Sequence, residues 1–219
     1  MGSAYAQDVT ENKTISTDNN SQQNFAGNDL SLTITDSATL TRDGHQGIHI
    51  KSFSNATVTV NPGSTVTSAS SNAIQGKSQS GLTVTNSGTI NAGGSKAINL
   101  LNATNSIITN NTGGIIKSNT NTITVTATND NDANNVTINN SGEIYAYSTD
   151  PAADSAAIKS EADTDNITII NNSGGYIHSN NGNSSVQQGS TVFISSLSNA
   201  TLTNSGTIEN KASTDAYVL

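Results

Sequence analysis

A chain of 219 residues with 32% hydrophobic, 4% aromatic and 11% charged residues has too few apolar side chains for a thick core. Its formal net charge of -8, with only 8 Lys and Arg, excludes the clustered basic surface that nucleic acid needs and disfavours docking on anionic lipid. Cysteine is absent, which removes disulfides, thiol catalysis and thiolate metal sites, and no apolar run of 18 residues could cross a membrane as a helix.

Disorder would need low hydrophobicity together with a high charge content, and the charged fraction is too small. Asn, Thr and Ser fill the gap, which suits thin β-structure built from strand formers and turn formers. At the start, Ala4-Tyr5-Ala6-Gln7 has the small-x-small form of a signal-peptidase site, preceded by Met1-Gly2-Ser3, which reads as an expression scar. Residues 1–6 are therefore expected to be scar and relic, with the mature chain opening at Gln7. Residues 7–29 are expected to form an N-terminal cap or a degraded first coil. The polar stretch Asn12 to Asn28 holds one large apolar residue, Phe25, and Ile15 lies 25 residues before Leu40.

From residue 30 onward three kinds of short alternating run recur. The first is Leu32-Thr33-Ile34, Val58-Thr59-Val60, Leu82-Thr83-Val84, Ile107-Ile108, Val136-Thr137-Ile138, Ile167-Thr168-Ile169 and Ala200-Thr201-Leu202. The second follows a turn of the form Asn-Ser-Gly-x-Ile, as in Asn86-Ser87-Gly88-Thr89-Ile90 and Asn140-Ser141-Gly142-Glu143-Ile144. The third includes Gly47-Ile48-His49-Ile50, Ala97-Ile98-Asn99-Leu100 and Thr122-Ile123-Thr124-Val125. Copies of the turn begin at residues 36, 61, 86, 111, 140, 172 and 204, giving steps of 25, 25, 25, 29, 32 and 32. Three strands per period with no helical pattern between them predict an all-β, right-handed, single-stranded parallel β-helix of about seven to eight coils over residues 30–219. Coils ~4.8 Å apart would build a rod of roughly 35 Å. Within the turn, Asn86, Asn111 and Asn140 are expected to stack as an amide ladder.

These rungs and the Ala-Ile-x-Leu third strands resemble the β-helical passenger domains of Gram-negative autotransporters, the type V secreted surface proteins, over residues 30 to 219. The resemblance implies export through the outer membrane to the bacterial surface, with possible release. It implies an adhesin or aggregation factor whose partner is a host-cell or extracellular-matrix component, or another copy of itself. Such proteins end in a membrane barrel that has no counterpart here, and the chain stops in mid-rung at Leu219, so it reads as a truncated passenger fragment. A passive stalk holding a distal domain, and a carbohydrate-active β-helix enzyme, are the alternative functions.

No Gly-x-Ser-x-Gly elbow is present, His45 and His49 have helix rather than strand spacing for a shared ligand, and His49 and His178 read as structural or functionally silent. No enzyme activity and no cofactor are expected. The longer coils place acidic residues in candidate ligand-contact loops: Asp130, Asp132, Asp150, Asp154, Glu161, Asp163 and Asp165. An Asp-x-Asp pair can open a calcium site, but none here continues into a calcium-loop pattern, and solvated loops explain them. Thr33, Thr59, Thr83, Thr137, Thr168 and Thr201 form a candidate polar association face, interrupted at Ile108. Regular Thr-x-Thr arrays on a flat face are an ice-binding pattern. Here the second column reads Thr35, Asn61, Thr85, Asn139, Ile170 and Thr203, so β-propensity is the simpler explanation.

Overall fold

The structure is a computed structural model that describes residues 5–128, 133–148, 150, 155–180 and 190–211. Among these residues every regular element is a strand, and every strand pairing is parallel. The first sheet stacks β2 (Lys13–Ile15), β4 (Ser31–Ile34), β7 (Thr57–Val60), β10 (Thr83–Asn86), β13 (Ile107–Asn110) and β16 (Ala133–Asn140). It continues into the second half of β18 (Ile158–Asn171) and β21 (Thr201–Asn204). The second sheet stacks β5 (Thr39–Arg42), β8 (Thr65–Ser68), β11 (Thr89–Ala92), β14 (Ile115–Ser118), β17 (Glu143–Ala146), β19 (Tyr176–Ser179) and β22 (Thr207–Asn210). The third stacks β1 (Gln7–Val9), β3 (Gln23–Phe25), β6 (Ile48–Lys51), β9 (Ile74–Lys77), β12 (Ile98–Leu101), β15 (Ile123–Thr126), the first half of β18 and β20 (Val192–Ser198). The chain is a parallel β-helix of about seven to eight coils, each strand pairing with its counterpart one coil away.

Alternation makes the core one side chain deep. Val58, Val84, Ile108, Ile138 and Ile169 point in from the first sheet; Leu40, Val66, Ile90, Ile116, Ile144 and Ile177 from the second; Ile48, Ile74, Ile98, Ile123 and Ile158 from the third. All are fully buried, so each contributes on the order of 1.5–3 kcal/mol of transfer free energy. Leu82, Val84, Ile90, Ile98 and Leu100 share this interior while Thr83, Thr89 and Asn99 face out, as their period predicts.

The corner between the first and second sheets holds the expected amide ladder, but with different members. Asn86, Asn110, Asn140 and Asn171 are fully buried. Asn86 Nδ2 donates to Asn110 Oδ1 (2.8 Å), Asn110 to Asn140 (2.9 Å), Asn140 to Asn171 (2.8 Å) and Asn171 to Asn204 (2.8 Å). The sequence separations are 24, 30, 31 and 33, so the ladder keeps its register while the loops elsewhere lengthen. Asn110 replaces the expected Asn111 because the turn at 111–114 is longer than that at Ser87-Gly88. It closes with Gly114 N donating to Asn111 O at 2.8 Å, and Gly113 takes φ +81°. The glycine that stacks is therefore Gly114, in line with Gly88, Gly142, Gly175 and Gly206. A Cβ on Gly142 would lie 2.5 Å from Asn111 O, because the previous coil's backbone passes beneath it.

Left-handed backbone gathers at another corner. Asp29, Asn55, Gly81, Asn105, Asn135, Asn166 and Asn199 all have φ between +51° and +74°, each two residues before a first-sheet Ser, Thr or Ile. Their side chains also link coils: Asn55 Nδ2 donates to Asp29 Oδ1 at 2.8 Å, and Asn135 Nδ2 to Asn105 Oδ1 at 3.0 Å. Near the start of the chain, Ile15 pairs with Ile34 rather than with Leu40, and Val9 with Phe25, all four buried. The segment from 7 to 25 thus pairs as strands on the coil that follows it. The run from Ser160 to Asp165, expected as a loop, lies inside β18, which rounds the corner between the third and first sheets without a break.

Replacing Asn140 with Leu removes the acceptor of Asn110 and the donor to Asn171 Oδ1. It is expected to destabilise the fold by about 1–3 kcal/mol per buried polar group left unpaired, read as a lower urea midpoint. In the same assay Gly142→Ala, which drives a methyl into backbone, should cost more than Gly174→Ala. Gly174 has φ +83° but open space at its Cβ, so only the left-handed penalty of about 1–2 kcal/mol applies. Equal costs would mean that the glycine column is not set by the coil beneath.

Candidate functional site

In-register stacking places outward side chains in columns, so any one face can be followed from coil to coil. On the second sheet the outward pairs begin as Thr39/Thr41, Thr65/Thr67 and Thr89/Asn91. They then change character to Ile115/Lys117, Glu143/Tyr145, Tyr176/His178 and Thr207/Glu209. Three of the chain's five tyrosines, Tyr145, Tyr147 and Tyr176, lie in this stretch.

The cluster follows from coil spacing. Tyr145 and His178 are register partners, and coils ~4.8 Å apart bring partner rings to stacking distance. Their centroids are 4.7 Å apart with planes 7° from parallel, and Tyr176 covers the other side of His178 at 4.4 Å. Lys117 Nζ lies 5.9 Å from the Tyr145 centroid and Lys211 Nζ 4.7 Å from that of Tyr176, so ammonium groups flank both ends of the stack. Tyr147 tilts against Tyr145 at 6.2 Å and donates its hydroxyl to Ala92 O at 3.1 Å.

Carboxylates tie the stack crosswise. His178 Nε2 and Glu143 Oε1 are 2.8 Å apart, and Tyr176 Oη donates to Glu209 Oε2 at 2.5 Å. A carboxylate only accepts, so the His178 proton sits on Nε2. Its Nδ1 is a buried acceptor with no hydrogen-bond partner among the described residues. Burial holds the His178 pKa below the ordinary histidine range, opposed by the Glu143 bond and assisted by Lys211. Burial and the Glu209 bond push Tyr176 up. Burial, then Tyr145, does the same for Tyr147.

Beside the cluster runs a groove of about 410 Å³. The short turn Ser141-Gly142 sits between the longer turns 111–114 and 172–175 of the coils on either side, and the groove is the notch they leave. Its lining is Thr112, Gly113, Gly114, Ile115, Ser141, Gly142, Glu143, Gly174 and Tyr176.

The sequence-predicted residues fall elsewhere. Asp130, Asp132 and Asp154 lie outside the described residues. Asp150 is exposed, and its amide donates to Ser148 Oγ at 3.3 Å. Glu161, Asp163 and Asp165 lie along β18 rather than in a loop. Glu161 pairs with Lys159 at 3.6 Å, and Asp165 accepts from Ser198 Oγ at 2.7 Å. Among the described residues no three acidic or histidine side chains converge as metal ligands.

The threonines all face outward from the first sheet, but in two columns rather than one. Thr33 and Thr59 align with Thr85 and Thr109, whereas Thr83, Thr137, Thr168 and Thr201 align with Thr57. The interruption is Ile107, 44% exposed, because Ile108 turns into the core. True Thr-x-Thr pairs therefore exist, yet Ile107, Asn139 and Ile170 break the array. The same pairs recur on the second sheet, as β-propensity alone would produce.

His178, for which the sequence suggests a structural or silent role, is the centre of the cluster. The signal was available in the residues flanking each buried second-strand isoleucine, had they been stacked as columns. Comparison of the chain with protein-family models, with curated proteins and with solved structures gives no match.

Because folding favours neutral His178, the unfolded chain takes up protons first as pH falls. Its contribution to stability is whole above the unfolded histidine value of about 6.5 and is lost as pH drops from there towards the lower folded value. His49, lowered by burial and by Lys51 and Lys77, acts in the same direction. Thermal midpoints between pH ~8 and ~5 should therefore fall with acidification, and less steeply in His178→Asn, where only the His49 part remains. Parallel curves for the two proteins would contradict this role for His178.

Proposed function

We propose that this chain is a passenger segment of a bacterial surface adhesin, exported through the outer membrane. It attaches to a host-cell or extracellular-matrix component, or to another copy of itself, and does so by binding rather than by catalysis. The observation that carries the reading is the change of character on the second sheet. Outward columns that begin as Thr and Asn go on to concentrate tyrosines, a histidine, two lysines and two glutamates on successive coils. Aromatic side chains are enriched among the residues that anchor interfaces, and a rigid scaffold holds them at no ordering cost. The resemblance of the Asn-Ser-Gly-Thr-Ile rungs to autotransporter passengers supports the same assignment. The threonine face of the first sheet is uncharged along its described columns, which leaves it compatible with contact between copies.

Purified chain is expected to adhere to matrix-coated surfaces or cultured cells, or to aggregate bacteria that display it. The double variant Tyr145→Ser/Lys117→Ser should weaken attachment about fivefold or more, as loss of an interface anchor worth over ~1 kcal/mol implies. Attachment that survives the double variant would move the contact to another face. A wild-type chain that neither adheres nor aggregates would instead favour a stalk that only carries a distal domain.

A further inference from the structure

We infer that the corner between the third and first sheets binds a phosphate group, held by Lys51, Lys77 and the serine hydroxyls beside them. The inference is independent of the adhesin reading, which concerns the second sheet. On the third sheet His49 and Lys51 face outward in register with Gln75 and Lys77 of the next coil. The backbones of the two lysines therefore stand ~4.8 Å apart. Like charges directly opposite each other weaken a strand pair. Nothing in the fold asks for lysine here, since Leu101 and Thr126 continue the same column.

The pair is also unneutralised. Lys13 donates to Gln7 and Gln23, Lys159 pairs with Glu161, and Lys117 and Lys211 lie over tyrosines. Lys51 and Lys77 have no hydrogen bond, ion pair or ring contact among the described residues. Their field reaches His49, whose pKa is held below the ordinary histidine range by burial and then by these two lysines. Along the His49 column the carboxylate of Asp8 lies two coils away. The residues that follow the lysines, Ser52 and Ser78, open a groove of about 420 Å³. Its lining includes Ser54, Ser80, Asn102 and Thr104 and holds no carboxylate. The amides of Ser52 and Ser78 are used within the coil stack, donating to Lys77 O and Leu101 O. The hydroxyls of Ser52, Ser54 and Ser78 make no hydrogen bond among the described residues, so three donors line the groove beside two ammonium groups.

That set of donors fits phosphate. A phosphate monoester carries close to two negative charges above its second pKa of about 6, and it offers three acceptor oxygens. Two lysines match the charge, and an ammonium binds phosphate as a point charge without needing a fixed fork. A carboxylate brings one charge and leaves one ammonium unmatched. A polyanion extends past the pair and meets the repulsion of a chain whose net charge is -8.

The test titrates the whole chain at pH ~8, where phosphate is dianionic, with inorganic phosphate and with glycerol phosphate. Calorimetry gives the affinity, and thermal midpoints are compared with those in sodium chloride of equal ionic strength. Phosphate is expected to bind and to raise the midpoint beyond the chloride value, as a ligand of the folded state must. Lys77→Gln should weaken binding about tenfold or more, the usual scale for losing a hydrogen bond to a charged group. That variant removes a like-charge pair, so it should fold at least as stably as the wild type. Ser54→Ala should weaken binding by a smaller factor. Lys96→Gln, the same charge change at another corner, should leave affinity as it is. Binding of inorganic phosphate alone supports the site and assigns it to the free ion, whereas binding of glycerol phosphate supports it and assigns it to a phosphorylated partner. Midpoints that rise equally in chloride, or equal affinity in wild type and Lys77→Gln, overturn the inference.

Discussion

The fold depends on one constraint, that each coil must lie in register on the coil before it. The amide column, buried from Asn86 to Asn171 and ending at the exposed Asn204, expresses this most directly. An amide inside the corner needs both a donor and an acceptor partner, and the next coil's amide supplies them only if the two strands superimpose. A slip of one strand by one residue would turn its amide outward and leave the amides of the coils on either side without their partner. The adjacent glycine column carries the same restriction sterically, since the coil beneath occupies the space where a side chain would go. Length variation is thereby confined to segments outside the two columns, including the turn between them, which is why separations of 24 to 33 residues coexist with an unbroken ladder.

The same constraint makes the surface readable as columns. Strand spacing in a parallel stack is close to the stacking distance of aromatic rings, so an aromatic residue repeated at one column position builds a stack with no further adjustment. Tyr145 and His178 are such a pair, and Glu143, Glu209, Lys117 and Lys211 are brought to them from neighbouring positions by the same geometry. The notch beside them is also a product of stacking. A short turn between two longer ones leaves a gap that no single coil contains.

Much of this architecture was legible in the chain. The strand triplets, their inward and outward alternation and the existence of an amide ladder all followed from period and residue type. Most differences between sequence spacing and structure are differences of register. Spacing points to Asn111 where Asn110 stacks, puts Thr33 and Thr59 in the Thr83 column, and sets Ile15 against Leu40 instead of Ile34. Each arose where a turn gains or loses residues, which breaks a fixed sequence spacing while the backbone ladder keeps its own count. The corner asparagines with positive φ were also legible, as an Asx or Gly two residues before a first-sheet strand.

By itself, the sequence determined the class of structure. A three-strand period, uncharged β-formers and turn residues at regular intervals leave a parallel β-helix as the arrangement that buries one apolar side of every run. The candidate site was decided only by tertiary structure. Tyr145 and His178 are 33 residues apart in the chain, as are Tyr176 and Glu209, and nothing local marks them as neighbours. Their contact depends on which residue of one coil lies above which residue of the next. That alignment is set by the summed fit of amides, glycines and core side chains around the whole coil.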